Sequence, residues 1–350
     1  MLTMKERSEL ENIIREHLEK YKDIECPDTD VETYLNNLLD FSIFLFRIKN
    51  KTPEICMAAV KWGGWNLRYA EDQTREMCLA AVTEDGRALQ FVKEQTHDIC
   101  MAAVKNDGSA LMYVKKQTPE LCKVAVTSYC GSLKYVEPQY RTHDLCLTAV
   151  RRDGMNLEYV EDQTPEICMA AVKNYGTALK FVKRQTPRIC IAAVKQRGMA
   201  LKYVKHQTPK ICLEAVKQYG LAIQFVRKQT DKICLAAVQQ NGWALQWVKH
   251  QTPEICLGAV TNCGTMLSHV HEKTPEICMA AVKNDGGALY YVKNQTEEMC
   301  LAAIRNQPRS LMYVKNQTEE MCLEAIALDK NAIHDVKKLT PKIRTAAGIE

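Results

Sequence analysis

The chain has 350 residues, 46% hydrophobic and 25% charged, with a formal net charge of +5, which excludes a disordered or collagen-like polypeptide. Its greasiest run, Phe41 to Phe46, is far shorter than the roughly 20 residues that span a bilayer, and no apolar segment of a secretory signal follows the polar start Met1 to Arg7. With sixteen cysteines, this argues for a cytoplasmic, reducing setting with free thiols, not a disulfide framework.

Residues 1–50 do not repeat. A helical pattern runs from Ser8 to Ile24 (Leu10, Ile13, Ile14, Leu18, Tyr21), breaks at Cys26 to Asp30, and resumes from Val31 to Ile48. Seven Lys/Arg against eleven Asp/Glu give this segment a net charge of −4. It reads as a helical cap on the end of a repeat array, since such arrays need polar ends. A separate recruiting module is the other reading.

From Thr52 onward the chain is periodic. Thr52, Thr74, Thr96, Thr118, Thr142, Thr164, Thr186, Thr208, Thr230, Thr252, Thr274, Thr296, Thr318 and Thr340 are spaced by 22 residues, except for 24 between Thr118 and Thr142. Residues 51–339 therefore form about thirteen repeats, and 340–350 a partial one. Fixed-period self-similarity of this length predicts a solenoid.

The Thr164 repeat, TPEICMAAVKNYGTALKFVKRQ, predicts two short helices. Thr164 is the N-cap, Pro165 takes the first helical position, and Glu166 favours the dipole in the first turn. Ile167, Cys168, Ala171 and Val172 form one apolar stripe on helix A. Gly176 reads as a left-handed C-terminal cap. Ala178, Leu179 and Val182 are the core of helix B. Neither helix reaches the roughly 12–15 residues at which isolated helices become marginal, so stability must come from stacking. We expect an all-α, right-handed α-solenoid.

Some departures have local meaning. Two extra residues at Glu137 to Arg141 predict a bend or loop that separates four repeats from nine. Trp62 and Trp65 flank the first turn, where they are placed to seal the cap. Pro308 and Lys330 replace the turn glycine near the C-terminus and suggest a degenerate terminal cap.

Three columns are candidates for chemistry. One cysteine per repeat, Cys56 to Cys322, lies on the buried stripe and reads as packing. Equivalent residues of stacked helices are roughly 8–10 Å apart, too far for a disulfide, and four zinc ligands do not converge. The eight histidines are scattered and the glycines fall one per turn, so no catalytic residue, cofactor site or metal site is expected. The glutamine before ten of the threonines (Gln185, Gln207 and equivalents) reads as a backbone clamp between repeats, or else a ligand-reading column. The aromatic column (Phe181, Tyr203, Phe225, Trp247 and equivalents) reads as inter-repeat packing, or else base stacking.

Charge is the one feature the fold does not demand. From Lys173 to Lys249 there are fifteen Lys/Arg and only Glu214 and Asp231, net +13. Lys173, Lys180, Lys183, Arg184, Lys195, Lys202, Lys205, Lys217, Arg227, Lys228 and Lys249 fall in recurring positions and are expected to form a basic ridge over about four repeats. A single-sign surface steers anionic partners; a merely solvated charged face is the alternative.

The recurrence of Thr-Pro-Glu-Ile-Cys-x-Ala-Ala-Val-Lys-x-x-Gly-x-Ala-Leu-x-Tyr/Phe-Val-Lys-x-Gln resembles the tandem repeats of the domain of unknown function 4116, from about Lys51 to Glu350. That resemblance implies short helical repeats and a host-interacting protein of a giant virus or an intracellular bacterium. It supplies no catalytic residue and no ligand. The expected function is a non-enzymatic protein-binding scaffold. The runner-up is an anion binder that takes nucleic acid or acidic phospholipid on the basic ridge.

Overall fold

The computed structural model describes residues 53–349; the expected cap at residues 1–50 lies outside them. Every regular element among the described residues is helical, and consecutive repeats pack side by side as an α-solenoid. The chain divides into two compact units, Met1–Ala171 and Val172–Glu350. The division falls inside the helix Pro165–Asn174, one repeat beyond the two-residue insertion.

Each repeat begins as its sequence dictates. The threonine is extended, and in most repeats its hydroxyl accepts the backbone N–H three residues on, at 3.4 Å for Thr186 to Ile189 and 3.3 Å for Thr208 to Ile211, Thr96 and Thr230 being exceptions. Proline supplies the first helical residue in many repeats without losing a bond, since that N–H has no partner in a helix anyway. Helix A then runs for ten residues, as in Pro187–Gln196 and Pro209–Gln218. Ile189, Cys190, Ala193 and Val194 are buried together, as are Ile211, Cys212, Ala215 and Val216. Burying one such aliphatic side chain contributes about 1.5–3 kcal/mol, which offsets the poor intrinsic stability of so short a helix.

Helix B differs from the expectation in kind. It is a six-residue 3-10 helix, for example Gly198–Tyr203 and Gly220–Phe225, closed by i→i+3 bonds such as Val204 N–H to Leu201 O at 3.1 Å. A 3-10 helix of this length is uncommon on its own. Here both ends are held by other elements. The N–H of Gly198 donates to Gln218 Oε1 at 2.5 Å, and the carbonyl of Tyr203 accepts from Gln185 Nε2 at 2.9 Å. Helix B thus starts beside the end of the next helix A and returns to the edge where its own helix A began.

The column glycine is not a left-handed cap. Among the described residues only Gly348 has a positive φ, 69°. The column glycine opens helix B in an ordinary conformation, and its size is fixed by its neighbour. A Cβ on Gly220 would stand 2.5 Å from the Ala237 carbonyl oxygen, and one on Gly86 2.5 Å from that of Ala103. The small residue lets helix B press against the backbone of the following repeat.

Two side-chain clamps complete the stitching within each unit. Gln207 Nε2 donates to Phe225 O at 2.8 Å while its Oε1 accepts from Arg227 N at 3.0 Å; Gln95 makes the same pair with Tyr113 O and Lys115 N, both at 2.9 Å. At the other end of helix A, Asn106 accepts from Gly86 N at 2.8 Å and donates to Thr83 O at 2.8 Å. At Pro308 both partners change: the proline has no N–H to donate, and the position that carries an amide in most repeats is the exposed Leu328.

The insertion forms one extra 3-10 turn, Pro138–Tyr140, and Arg141 stands in for glutamine. Its guanidinium donates to Val136 O at 2.8 Å and to Tyr159 O at 3.1 Å. The junction stays stitched. Trp65 packs edge-to-face on Phe91 of the following repeat, with ring centroids 5.3 Å apart.

Two adjacent glycines separate the packing account from simple propensity. Gly286 is 2.5 Å, at its built Cβ, from Ala303 O, whereas the nearest atom to a Cβ on Gly287 is Asp285 Oδ1 at 3.1 Å. G286A should cost about 2 kcal/mol or more and G287A less than about 0.5 kcal/mol, measured by urea unfolding. Q207A, which strands a part-buried carbonyl and N–H, should cost about 1–3 kcal/mol by the same measurement.

Candidate functional site

The cysteine column is structural in its geometry. Twelve of its members, from Cys78 to Cys322, are buried, and most of these thiols point at the clamp: Cys212 Sγ lies 3.6 Å from Gln207 Oε1 and Cys122 Sγ 3.4 Å from Gln117 Oε1. Burial raises their pKa values, in Cys122 to about 11 with a further push from Glu137. Among the described residues no group of three or more His, Cys, Asp or Glu side chains is placed to hold a metal. The clamp also settles the glutamine column: its amide is committed to backbone, which leaves little to read a ligand.

The eleven basic residues singled out from the sequence are all exposed, and all lie in the second unit. They do not form one line. Lys173, Lys195 and Lys217 sit in the last turn of helix A. A ten-residue helix is about 15 Å long, so these three occupy the far edge, and Lys195 is paired there with Glu214 at 3.4 Å. Lys183, Arg184, Lys205, Arg227, Lys228 and Lys249 lie in the bends that precede each helix A, on the near edge. Lys180 and Lys202, late in helix B, adjoin that near edge. Their ammonium groups lie 4.3 Å and 4.7 Å from the ring centroids of Phe181 and Tyr203.

Part of the near edge is also structural. Arg227 Nη1 donates to Lys205 O at 2.9 Å and Lys205 Nζ to Lys183 O at 3.3 Å, each reaching one repeat back. The same reach recurs far from the basic segment, as in Lys115 to Lys93 O at 2.9 Å. This column cannot be altered without touching the fold.

Three further cations, missed by the sequence reading, complete the edge. The first turn of helix A carries an acid in every other full repeat, among them Glu76, Asp98, Glu120, Asp144, Glu166, Glu254 and Glu276. In three successive repeats the same position holds Arg188, Lys210 and Lys232, all exposed. A cation there opposes the helix dipole and costs about 0.3–1 kcal/mol. The fold does not ask for them.

Nor are they neutralised. Elsewhere this edge pairs the first residue of one helix A with the second of the next: Arg75 with Asp98, Glu319 with Lys342 at 3.6 Å and, when the imidazole is protonated, His97 with Glu120 at 3.6 Å and His143 with Glu166 at 3.5 Å. Opposite Lys210 and Lys232 that register presents Pro187 and Pro209. Among the described residues Arg188, Lys210 and Lys232 make no ion pair. Asp231 is the sole acid on the edge between Lys183 and Lys249. The signal was present in the sequence as an inversion of charge at the second residue of helix A, a column outside those from which the expected ridge was drawn.

The sequence family of the domain of unknown function DUF4116 matches residues 74–118, 143–185, 164–207 and 208–252. Each match runs over two consecutive repeats, and the gap between the first and second contains the insertion at Pro138 to Tyr140. The chain is a DUF4116-like tandem-repeat protein. Beyond Thr252 the same capped helix A and 3-10 helix B continue to the partial repeat Pro341–Ala347. No curated protein and no solved structure matches the chain.

The buried thiols of these DUF4116-like repeats set two expectations. In a C26S background, Cys130 and Cys263, which are half-buried, should react with a thiol reagent at neutral pH well before any column cysteine; fast labelling across the column would contradict the burial. A thiol whose pKa is raised on folding leaves stability intact below its ordinary value of 9.0 and weakens it as pH rises through the folded value, about 11 for Cys122. Melting temperature should therefore fall between about pH 9 and 11, and less steeply when several column cysteines are replaced by alanine.

Proposed function

We propose that this DUF4116-like chain is a non-enzymatic scaffold that holds a macromolecule, a protein in the first instance, on the exposed variable positions of its repeats. The observation that carries the reading is the commitment of the recurring polar side chains. Threonine caps, glutamine clamps and thiols all bond to their own or the neighbouring repeat, and so are unavailable for chemistry on a substrate. The spaces between repeats on the near edge are shallow grooves, about 290 Å³ around Lys293, Thr296 and Lys315.

What remains outward-facing is surface. On the helix B side of the second unit, Trp243, Trp247, Tyr290, Tyr291 and Met312 are 47%, 45%, 68%, 38% and 48% exposed. Aromatic and methionine side chains of this kind are enriched where proteins bind one another. A second reading, an anion binder, is favoured by the inverted charges of Arg188, Lys210 and Lys232.

Affinity capture from nuclease-treated lysate, with wild type beside W243A/W247A/Y290A, tests the scaffold. Partners should be recovered by the wild type and lost from the aromatic variant at unchanged melting temperature. An empty capture, or a partner set indifferent to the variant, would overturn the protein-binding reading.

A further inference from the structure

We infer that the near edge of the second unit, from Lys183 to Lys249, binds single-stranded nucleic acid by its phosphates. The inference deepens the scaffold reading by naming a partner class for one edge. It rests on the chain being a binder and shares only Trp247 with the aromatic surface.

Three observations lead there. The first is the inversion at Arg188, Lys210 and Lys232, where a cation replaces the acid at the second residue of three consecutive helices A at a cost to the fold, the third keeping Asp231 beside it. A cost repeated three times in register is accounted for by an anion outside the protein. The second is the near absence of acid along the whole edge, so that bends and first turns together present one sign of charge over four bends. A polymer with the same charge on every unit matches such a line.

The third is composition. The edge is built of Lys183, Lys205, Lys210, Lys228, Lys232 and Lys249 with four arginine or histidine neighbours nearest the caps, Arg184, Arg188, His206 and Arg227. Lysine is depleted at protein–protein interfaces, whereas nucleic-acid interfaces are strongly positive. A membrane surface is a poorer fit. Amphipathic lipid binders carry large apolar residues all along beside the cations, whereas between Lys183 and Lys249 the exposed large hydrophobics are Trp243 and Trp247, both in its last repeat. What the edge does have is a ring two residues before each bend cation: Phe181 and Lys183, Tyr203 and Lys205, Phe225 and Arg227, Trp247 and Lys249. Alternating rings and cations suit a single strand, whose phosphates need charge and whose bases need a face to lie on.

The glutamates of the other repeats supply the decisive variant. Glutamate is the residue the fold uses at this position in most other repeats, so R188E/K210E/K232E should fold and melt at the same temperature as wild type or higher. Reversal of Lys205 or Arg227 would be less informative, because those side chains also bond the preceding repeat.

The measurement is fluorescence anisotropy of a labelled oligothymidylate of about 20 nucleotides with the full-length chain, a length near the roughly 4–16 nucleotides typical of single-strand sites. Binding at about 50 mM salt should weaken roughly 300-fold by about 200 mM, as expected for some six neutralised phosphates on a single strand. The triple variant should lose at least about 30-fold in affinity and its log–log salt slope should fall by about two. Polyglutamate of equal charge should compete at least tenfold less well than unlabelled oligonucleotide. Three outcomes would overturn the inference: no binding at low salt, an unchanged affinity in the triple variant, or polyglutamate or anionic vesicles bound as tightly as the oligonucleotide. If the oligonucleotide fails while lysate partners still depend on Trp243, Trp247 and Tyr290, the scaffold reading survives and only the nucleic-acid assignment falls.

Discussion

The glutamine clamp is the constraint on which the rest of the structure depends. A ten-residue α-helix and a six-residue 3-10 helix leave many backbone groups without partners, and neither holds its shape alone. Gln207 resolves this across the junction by accepting from one backbone N–H and donating to one carbonyl of the following repeat. The threonine beside it starts the next helix, and the cysteine five residues on places a weakly polar thiol against the same amide oxygen. The glycine then allows the close approach that brings these groups within reach. Each recurring residue serves the junction, so a repeat is complete only when its neighbour is present.

That arrangement decides where function can reside. Positions that stitch repeats cannot vary without losing bonds, and those that vary without cost lie on the outer faces of the bends, first turns and helix B. The central repeats alter three first-turn positions in the direction that the helix dipole disfavours, and they keep every clamp around them. Charge was changed while the scaffold was preserved. Lys205 and Arg227 show the mixed case, since they carry charge on that edge and also reach back to the preceding backbone.

Much of the fold was legible in the sequence because its causes are local or periodic. The threonine cap, the proline start, the buried cysteine stripe and the junction role of glutamine all follow from residue type at a fixed position. The nature of helix B was not legible. Ala200, Leu201 and Val204 are compatible with either helix type, and the choice is made by bonds to Gln185 and Gln218 in other elements. The glycine was misread for a related reason. Gly220 is a plausible C-terminal cap by local chemistry, yet the atom that excludes a side chain is Ala237 O, seventeen residues away. Likewise the expected single ridge became two edges, because only the return path of helix B shows that Lys217 and Lys205 lie at opposite ends of helix A.

The same reasoning bounds the basic edge. Its first-turn cations stop where Glu254 and Glu276 restore the acid that the dipole favours, and His271 replaces the bend cation after Lys249. Beyond that point the edge returns to paired charges, as between Glu319 and Lys342. A partner held by Coulombic attraction is therefore confined to a few repeats even though the array continues. Length in this fold is set by the clamps, and the footprint of a ligand by how many successive repeats exchange one exposed acid for a cation.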